Sequence, residues 1–399
     1  MVGTQAREAG TASKRRWLIL GVGVFAQASS CAFLYGVPFL VPAMRASEGL
    51  NLAQAGTVVA GPTVGLLLTL IAWGAAADRF GERVVMATGL ALTGLLVAVA
   101  RTWAHGLPLF VVVLGLAGAA GASVNAASGR MIMGWFGKSE RGVAMGIRQT
   151  AQPLGVGIAS LSLPLLAEHI GFRDALLLPA GLCVLAAALV ASLAADPPRP
   201  VRQAGEAKPR SPYRTPTLWR LHGASALLVL PQFVIAAFAL EYLVSTQHWA
   251  AAAAGTFIAV VQVAGACGRI VTGYWSDRVG SRLRPMRQLA VASTGVMLMF
   301  AVGAAVAPWL AVVAIAVGAV ITVADNGLAF TSTAEMAGPA WAGRALGVQN
   351  TGQNIVASLT PPVLGLVIGG SSYGFGLAVA AVFPLLAIAV TPVRAEARG

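Results

Sequence analysis

Three arginines, Arg130, Arg148 and Arg269, stand inside long apolar runs. A guanidinium keeps its charge at any physiological pH. Its planar fork of donors pairs bidentately with a carboxylate or another oxyanion. One acid shares such a setting: Asp325, beside Asn326. Arg130 lies eight residues before Lys138, Arg148 seven after Arg141, and Arg269 eight before Asp277. At helical rise that is about 10–12 Å inside a spanning segment, and Asp325, counted from Glu335, is about 15 Å inside. An ionisable group at such depth costs about 2.5–3.5 kcal/mol on insertion scales, which makes it a functional candidate. Snorkelling or a structural ion pair is the plainer use and stays open for each. Asp325 is read as a protonation site, its carboxylate and the substrate anion competing for one guanidinium.

Amides form a second set: Gln27, Asn125, Gln152, Gln232, Gln262, Asn326, Gln349 and Gln353, with the Tyr35 phenol beside them. Gln349, Asn350, Gln353 and Asn354 share one helical face by i, i+4 spacing, and Arg148, Gln149 and Gln152 share the equivalent face of an earlier run. An amide in hydrocarbon either faces a polar path or bonds helix to helix. Single amides fit either use; the stripes fit a path better.

Such residues need elements that hold them away from water. Of 399 residues, 57% are apolar and 10% charged, and the mean hydropathy is +0.78. A soluble domain is about a quarter charged, so this surface belongs in lipid. The net charge of +13 therefore does not indicate a nucleic-acid partner. Cys31, Cys183 and Cys267 lie in apolar runs without metal-type spacing, and no H-E-x-x-H motif occurs. No enzyme, metal or cofactor is expected, and the protein reads as a monomer in the bilayer. The first apolar run, from Trp17 to Met44, is long enough to span rather than serve as a cleaved signal.

Twelve runs meet the length of about 20 residues that a helical span needs: 17–43, 51–77, 84–104, 108–136, 141–168, 173–195, 217–245, 249–276, 286–306, 308–336, 342–369 and 372–393. This predicts an all-α membrane protein of twelve transmembrane helices in two pseudo-symmetric six-helix bundles, 17–195 and 217–393. A tail (1–16), a Pro- and charge-rich linker (196–216) and a second tail (394–399) complete the chain. Twenty basic residues fall on the side of the termini and only Arg45, Arg101 and Arg173 on the other. That bias predicts cytoplasmic termini in a multi-pass inner (plasma) membrane protein.

The halves repeat. Gly74-x-x-x-Asp78-Arg79-x-Gly81-x-Arg83 returns as Gly273-x-x-x-Asp277-Arg278-x-Gly280-x-Arg282, offset by 199. Asn125 matches Asn326, and the Arg141–Gly146 stretch matches Ala342–Gly347, offset by 201. Over essentially its full length the chain resembles the major facilitator superfamily, whose loop 2–3 signature and loop 8–9 echo these are. The resemblance implies that spans 1, 4, 7 and 10 line a cavity, that 2, 5, 8 and 11 flank it, and that both loops act as gating latches. Gly268-Arg269-x-x-x-Gly273-x-x-Ser276-Asp277-Arg278 is similar to span 8 of anion-carrying members, monocarboxylate and oxalate porters among them. There the arginine ahead of the loop binds the substrate carboxylate. Trp135 through Thr150 loosely resembles cyanate- or nitrate-type carriers, but the Gly/Asn-rich signature of nitrate porters is missing. The implied function is secondary transport of a small organic or inorganic anion, a carboxylate first, driven by the proton gradient. The alternative is a proton-antiport drug or metabolite efflux pump, whose span 5 signature survives only at Pro153 and Gly157.

Overall fold

The computed structural model describes residues 2–50, 52–102, 106–197, 211–249 and 251–396. Most of the expected linker, 198–210, and the last three residues of the expected tail fall outside them. The first half carries α1 (Val2–Leu34), α2 (Val41–Glu48), α3 (Leu52–Phe80), α4 (Glu82–Thr102), α5 (Leu107–Trp135), α6 (Arg141–Gln149), α7 (Ala151–Ile170), α8 (Phe172–Ala175) and α9 (Leu177–Leu193). The second carries α10 (Pro216–Glu241), α11 (Ala251–Val279), α12 (Leu283–Val306), α13 (Pro308–Ala324), α14 (Asn326–Ala337), α15 (Ala342–Gly369), α16 (Tyr373–Val390) and α17 (Val393–Glu396). No strand occurs among the described residues.

Among the described residues, twelve helical stretches are long and apolar enough to cross a membrane. Most lie within a few residues of the expected runs, and the differences have local causes. The first run breaks after Leu34 into a 3-10 turn, Val37–Leu40, and then α2. Pro38 and Pro42 remove two backbone donors there. The run 141–168 is two helices divided at Thr150, and the run 308–336 divides at Asp325, whose φ of −76° and ψ of −19° lean toward a 3-10 turn.

The chain forms two compact units: Met1–Gly137 with Thr150–Ala207 and Pro339–Gly347, and Lys138–Gln149 with Lys208–Gly338 and Val348–Gly399. In the first, α3 crosses α5, where a Cβ on Gly65 would collide with the Gly115 carbonyl. α4 packs on α5 and α9, and α1 on α7 and α9. One core gathers Phe33, Leu66, Leu70, Phe110 and Phe172, and another Ile19, Met86, Leu90 and Met131. In the second unit α12 packs on α13 and α16, and α10 on α16. The core there surrounds Tyr242, which meets Phe300 and Tyr373 edge-on. Helix α6 belongs to this unit and packs against α11 and α14. Lipid chains are as apolar as these cores, so close fit, small residues and hydrogen bonds hold the helices together.

Candidate functional site

The two signature loops use one construction. In the first unit Asp78, near the end of α3, accepts the Gly343 and Arg344 amides at 3.1 and 3.3 Å. In the second, Asp277 of α11 accepts the Gly142 and Val143 amides, both at 2.9 Å. Those donors open α15 and α6, so each carboxylate satisfies amides that have no partner within their own helix and faces the positive end of its dipole. The motif glycines let backbone meet backbone: Cβ atoms on Gly74 and Gly273 would collide with the carbonyls of Gly343 and Gly142. Gly81 and Gly280 sit at φ of +96° and +65°, where a Cβ is strained.

The arginines of the motif divide. Arg282 pairs with Asp277 and donates to the Ser276 hydroxyl and the Lys138 carbonyl, each at 2.6 Å. Glu335 then holds Arg141 at 3.3 Å. Arg83 instead donates to the Ala191 carbonyl, and Arg79 and Arg278 stack over Phe80 and Tyr274 of their own helices. Asp78 meets two guanidiniums: that of Arg344, at 3.6 Å, and that of Arg130 of α5, which also pairs with Glu82 and donates to the Ala77 carbonyl. Arg130, expected among the anion ligands, thus sits in an ion-pair cluster of the first loop. The end of α3 reaches the depth of Arg130, which distance along α5 from Lys138 does not reveal. The carboxylates of Asp196 and Glu396 complete the construction by accepting the amides of Arg83 (2.8 Å) and Arg282 (2.5 Å) at the starts of α4 and α12. Gly273→Val should push α6 off α11 and lower the thermal midpoint of purified protein by several degrees, since overpacking costs about 1–3 kcal/mol. Gly273→Ala should fall between; an unchanged midpoint for Val would contradict the close crossing.

A second cluster lies where α6, α11 and α14 meet. Gly146 allows the approach: a Cβ there would stand 2.6 Å from the Arg269 carbonyl, and Gly327 faces it from α14. Arg148, Arg269 and Asp325 are 3, 7 and 2% exposed, so all three are charge carriers removed from solvent. The Arg148 guanidinium lies over the Phe330 ring at 5.7 Å, within cation–π range, and donates to the Gln149 side chain at 3.2 Å. Arg269 donates to the Gln149 backbone carbonyl at 2.6 Å and stands close enough to Asp325 to act on it electrostatically. Asp325 Oδ2 is buried and takes no hydrogen bond among the described residues. The three charges are legible in the sequence; Phe330 and the Gln149 carbonyl join them only in the fold.

The amides pair with one another. Gln27 donates to Asn125 at 2.9 Å, joining α1 to α5, and Asn326 donates to Gln232 at 3.0 Å, joining α14 to α10. The duplication therefore preserves a hydrogen bond between side-chain amides of the first and fourth spans of each half. Ser128 adds a donor to Gln27. Gln353 donates to Ser225 at 2.7 Å, and Gln349 lies 2.5 Å from Nδ1 of His222, whose Nε2 faces the Tyr213 hydroxyl at 3.1 Å. Burial pushes the Tyr213 phenol up to about 12. The Gln349 oxygen can only accept, so Nδ1–H donates to it, and in the neutral ring Nε2 then accepts from the Tyr213 hydroxyl. Tyr35 and Gln152 are half-buried and Gln262 is exposed.

The Major Facilitator Superfamily profile matches residues 23–361. An uncharacterized MFS-type transporter of Mycobacterium tuberculosis is 44% identical over 382 residues, covering 95% of this chain and 85% of its own. A probable hexose phosphate transport protein of Chlamydia pneumoniae is 22% identical, covering 63% of this chain and 62% of its own. Among solved structures, the E. coli fucose:proton symporter superposes with a TM-score of 0.72 at 17% identity, over 93% of this chain and 98% of its own. The human organic anion transporter MFSD10 does so with a TM-score of 0.68 at 14% identity, over 95% and 99%. The twelve spans, the duplicated signature loops and these matches agree: the chain is a multi-pass membrane protein and belongs to the Major Facilitator Superfamily of secondary transporters.

Proposed function

We propose that this transporter carries a small anion, a carboxylate first, in a proton-linked cycle with Arg269 and Arg148 as its anion ligands and Asp325 as its proton site. The carrying observation is the convergence of two buried guanidiniums and one buried carboxylate where α6, α11 and α14 meet. A guanidinium held in low dielectric beside an acid suits a reversible exchange between protein carboxylate and substrate anion. Protonating Asp325 removes the internal competitor, so proton and anion bind together. The MFSD10 neighbour, described as an organic anion transporter, and the hexose phosphate relative support an anionic cargo. The fucose:proton symporter supports proton coupling on this fold. Gln27, Asn125, Gln232 and Asn326, bonded in pairs, set the spacing of the first and fourth spans in each half, and Arg130 serves the first latch. Asp78 and Asp277 release and retake their helix amides as access alternates. Cytoplasmic termini follow from the basic residues, which crowd the side bearing the latch loops.

A thermal-shift screen of purified protein tests the cargo. The panel is acetate, L-lactate, oxalate, nitrate, inorganic phosphate and glucose 6-phosphate, with fucose and xylose as neutral comparators. A ligand at a hundredfold excess over Kd stabilises the state that it binds by about 2.7 kcal/mol. At least one anion should raise the midpoint of the wild type and leave Arg269→Gln unmoved. Stabilisation by the sugars and by none of the anions would overturn the anion reading.

A further inference from the structure

At the break between α6 and α7 one helical donor is missing. An α-helix closes by an N–H at position i+4 on each carbonyl, and the position four after Gln149 is Pro153, which has no N–H. Helical bonding resumes one residue on, where the Leu154 amide donates to Thr150 at 3.1 Å. The Gln149 carbonyl is thereby released from its helix, and Arg269 of α11 donates to it at 2.6 Å. The second half shows what the proline changes. Position 201 further on is Asn354 rather than proline, α15 runs unbroken through it, and the Asn354 side chain adds a donor to the Asn350 carbonyl at 2.9 Å. So the equivalent carbonyl is kept within α15, while that of Gln149 is given to Arg269. The same point is where the chain passes from one compact unit to the other, between Gln149 and Thr150.

We propose that the Gln149 carbonyl and the transported anion are alternative ligands of Arg269, so that anion binding unclasps the Thr150 break. This rests on the reading of Arg269 as an anion ligand. A carboxylate is the stronger acceptor for a guanidinium, because its bonds are charge-assisted on both sides. An anion that takes the fork leaves the Gln149 carbonyl without a donor and lets α6 turn relative to α7. Pro153 is then a positioning residue: it keeps the helix from reclaiming its own carbonyl.

Hydrogen–deuterium exchange on the full-length protein in detergent reads the clasp without knowledge of the cargo. In Arg269→Gln the amides of 150–156 should exchange about tenfold faster, as expected for losing one charge-assisted bond. Adding Pro153→Ala should cancel that increase, since the restored N–H closes the helix on Gln149. Pro153→Ala alone, a helix-favouring change, should slow exchange below wild type even if Arg269→Gln fails to fold. Unchanged exchange in Arg269→Gln, or no suppression by Pro153→Ala, overturns the clasp. The second arm adds oxalate. In the wild type it should speed exchange in 150–156, and in Pro153→Ala it should not. Oxalate that raises the thermal midpoint yet leaves 150–156 unchanged overturns the competition. If no anion of the panel binds, the functional reading falls and the competition with it, and the first arm alone decides the clasp.

Discussion

Arg269→Gln is expected to abolish saturable anion uptake in proteoliposomes while the protein still inserts and purifies. Arg269 is buried, in electrostatic reach of Asp325, and bonded to a carbonyl that its own helix partner cannot satisfy. Truncating one member of a buried, hydrogen-bonded charge pair costs about 2–5 kcal/mol, which corresponds to about 30-fold or more in apparent affinity. Lysine keeps the charge and loses the fork, so Arg269→Lys should retain weak uptake with a raised KM. Removing the guanidinium also leaves the Asp325 carboxylate buried without its partner, an effect on folding rather than recognition. The Arg269→Gln/Asp325→Asn pair separates the two: neutralising both should recover the thermal midpoint and not the uptake. Anion transport retained by Arg269→Gln would remove the residue from the site.

Asp325→Asn is expected to uncouple transport from the proton gradient. On the proposed cycle an acidic exterior protonates Asp325, clears a negative charge from beside Arg269 and admits the anion. Release on the alkaline side follows when the carboxyl ionises again. Asparagine is permanently neutral, so anion binding in the variant should be at least as tight as in the wild type at neutral pH and should not vary with pH. Exchange of labelled anion should persist, but an imposed pH difference should no longer raise the internal concentration above the external one. Asp325→Glu keeps a titratable group and should keep accumulation. Undiminished proton-driven accumulation by Asp325→Asn would assign the coupling elsewhere.

The frame of the protein was readable from its residues for physical reasons. Hydrocarbon demands long apolar runs, and the duplicated G-x-x-x-D-R-x-G-x-R loop dates both halves to one six-helix unit. Charge depth was readable only in part. Arg148, Arg269 and Asp325 do come together, yet Arg130, equal in depth by residue count, is taken by Asp78 and Glu82. A count along one helix says nothing of how far the neighbouring helix extends. The partners of the amides were hidden for a related reason, since which glutamine meets Asn125 depends on helix rotation and not on spacing. Asp196 and Glu396 sit in stretches of tail-like composition, and only the fold shows them accepting amides at the starts of α4 and α12. The Thr150 break does leave a signal: Pro153 stands in the sequence as a remnant of another subgroup's motif, while its effect on the Gln149 carbonyl is a matter of backbone bonding.

The central claim is that anion and proton cross together. The most direct measurement follows the lumenal pH of proteoliposomes, reported by a trapped pH-sensitive dye, when an inward gradient of each anion of the panel is imposed under voltage clamp by potassium and valinomycin. The account predicts lumenal acidification with at least one carboxylate in the wild type, none with Arg269→Gln, and none with Asp325→Asn despite continued exchange of the labelled anion. Acidification driven by fucose or xylose with every anion silent, or anion-driven acidification that survives in Asp325→Asn, would contradict it.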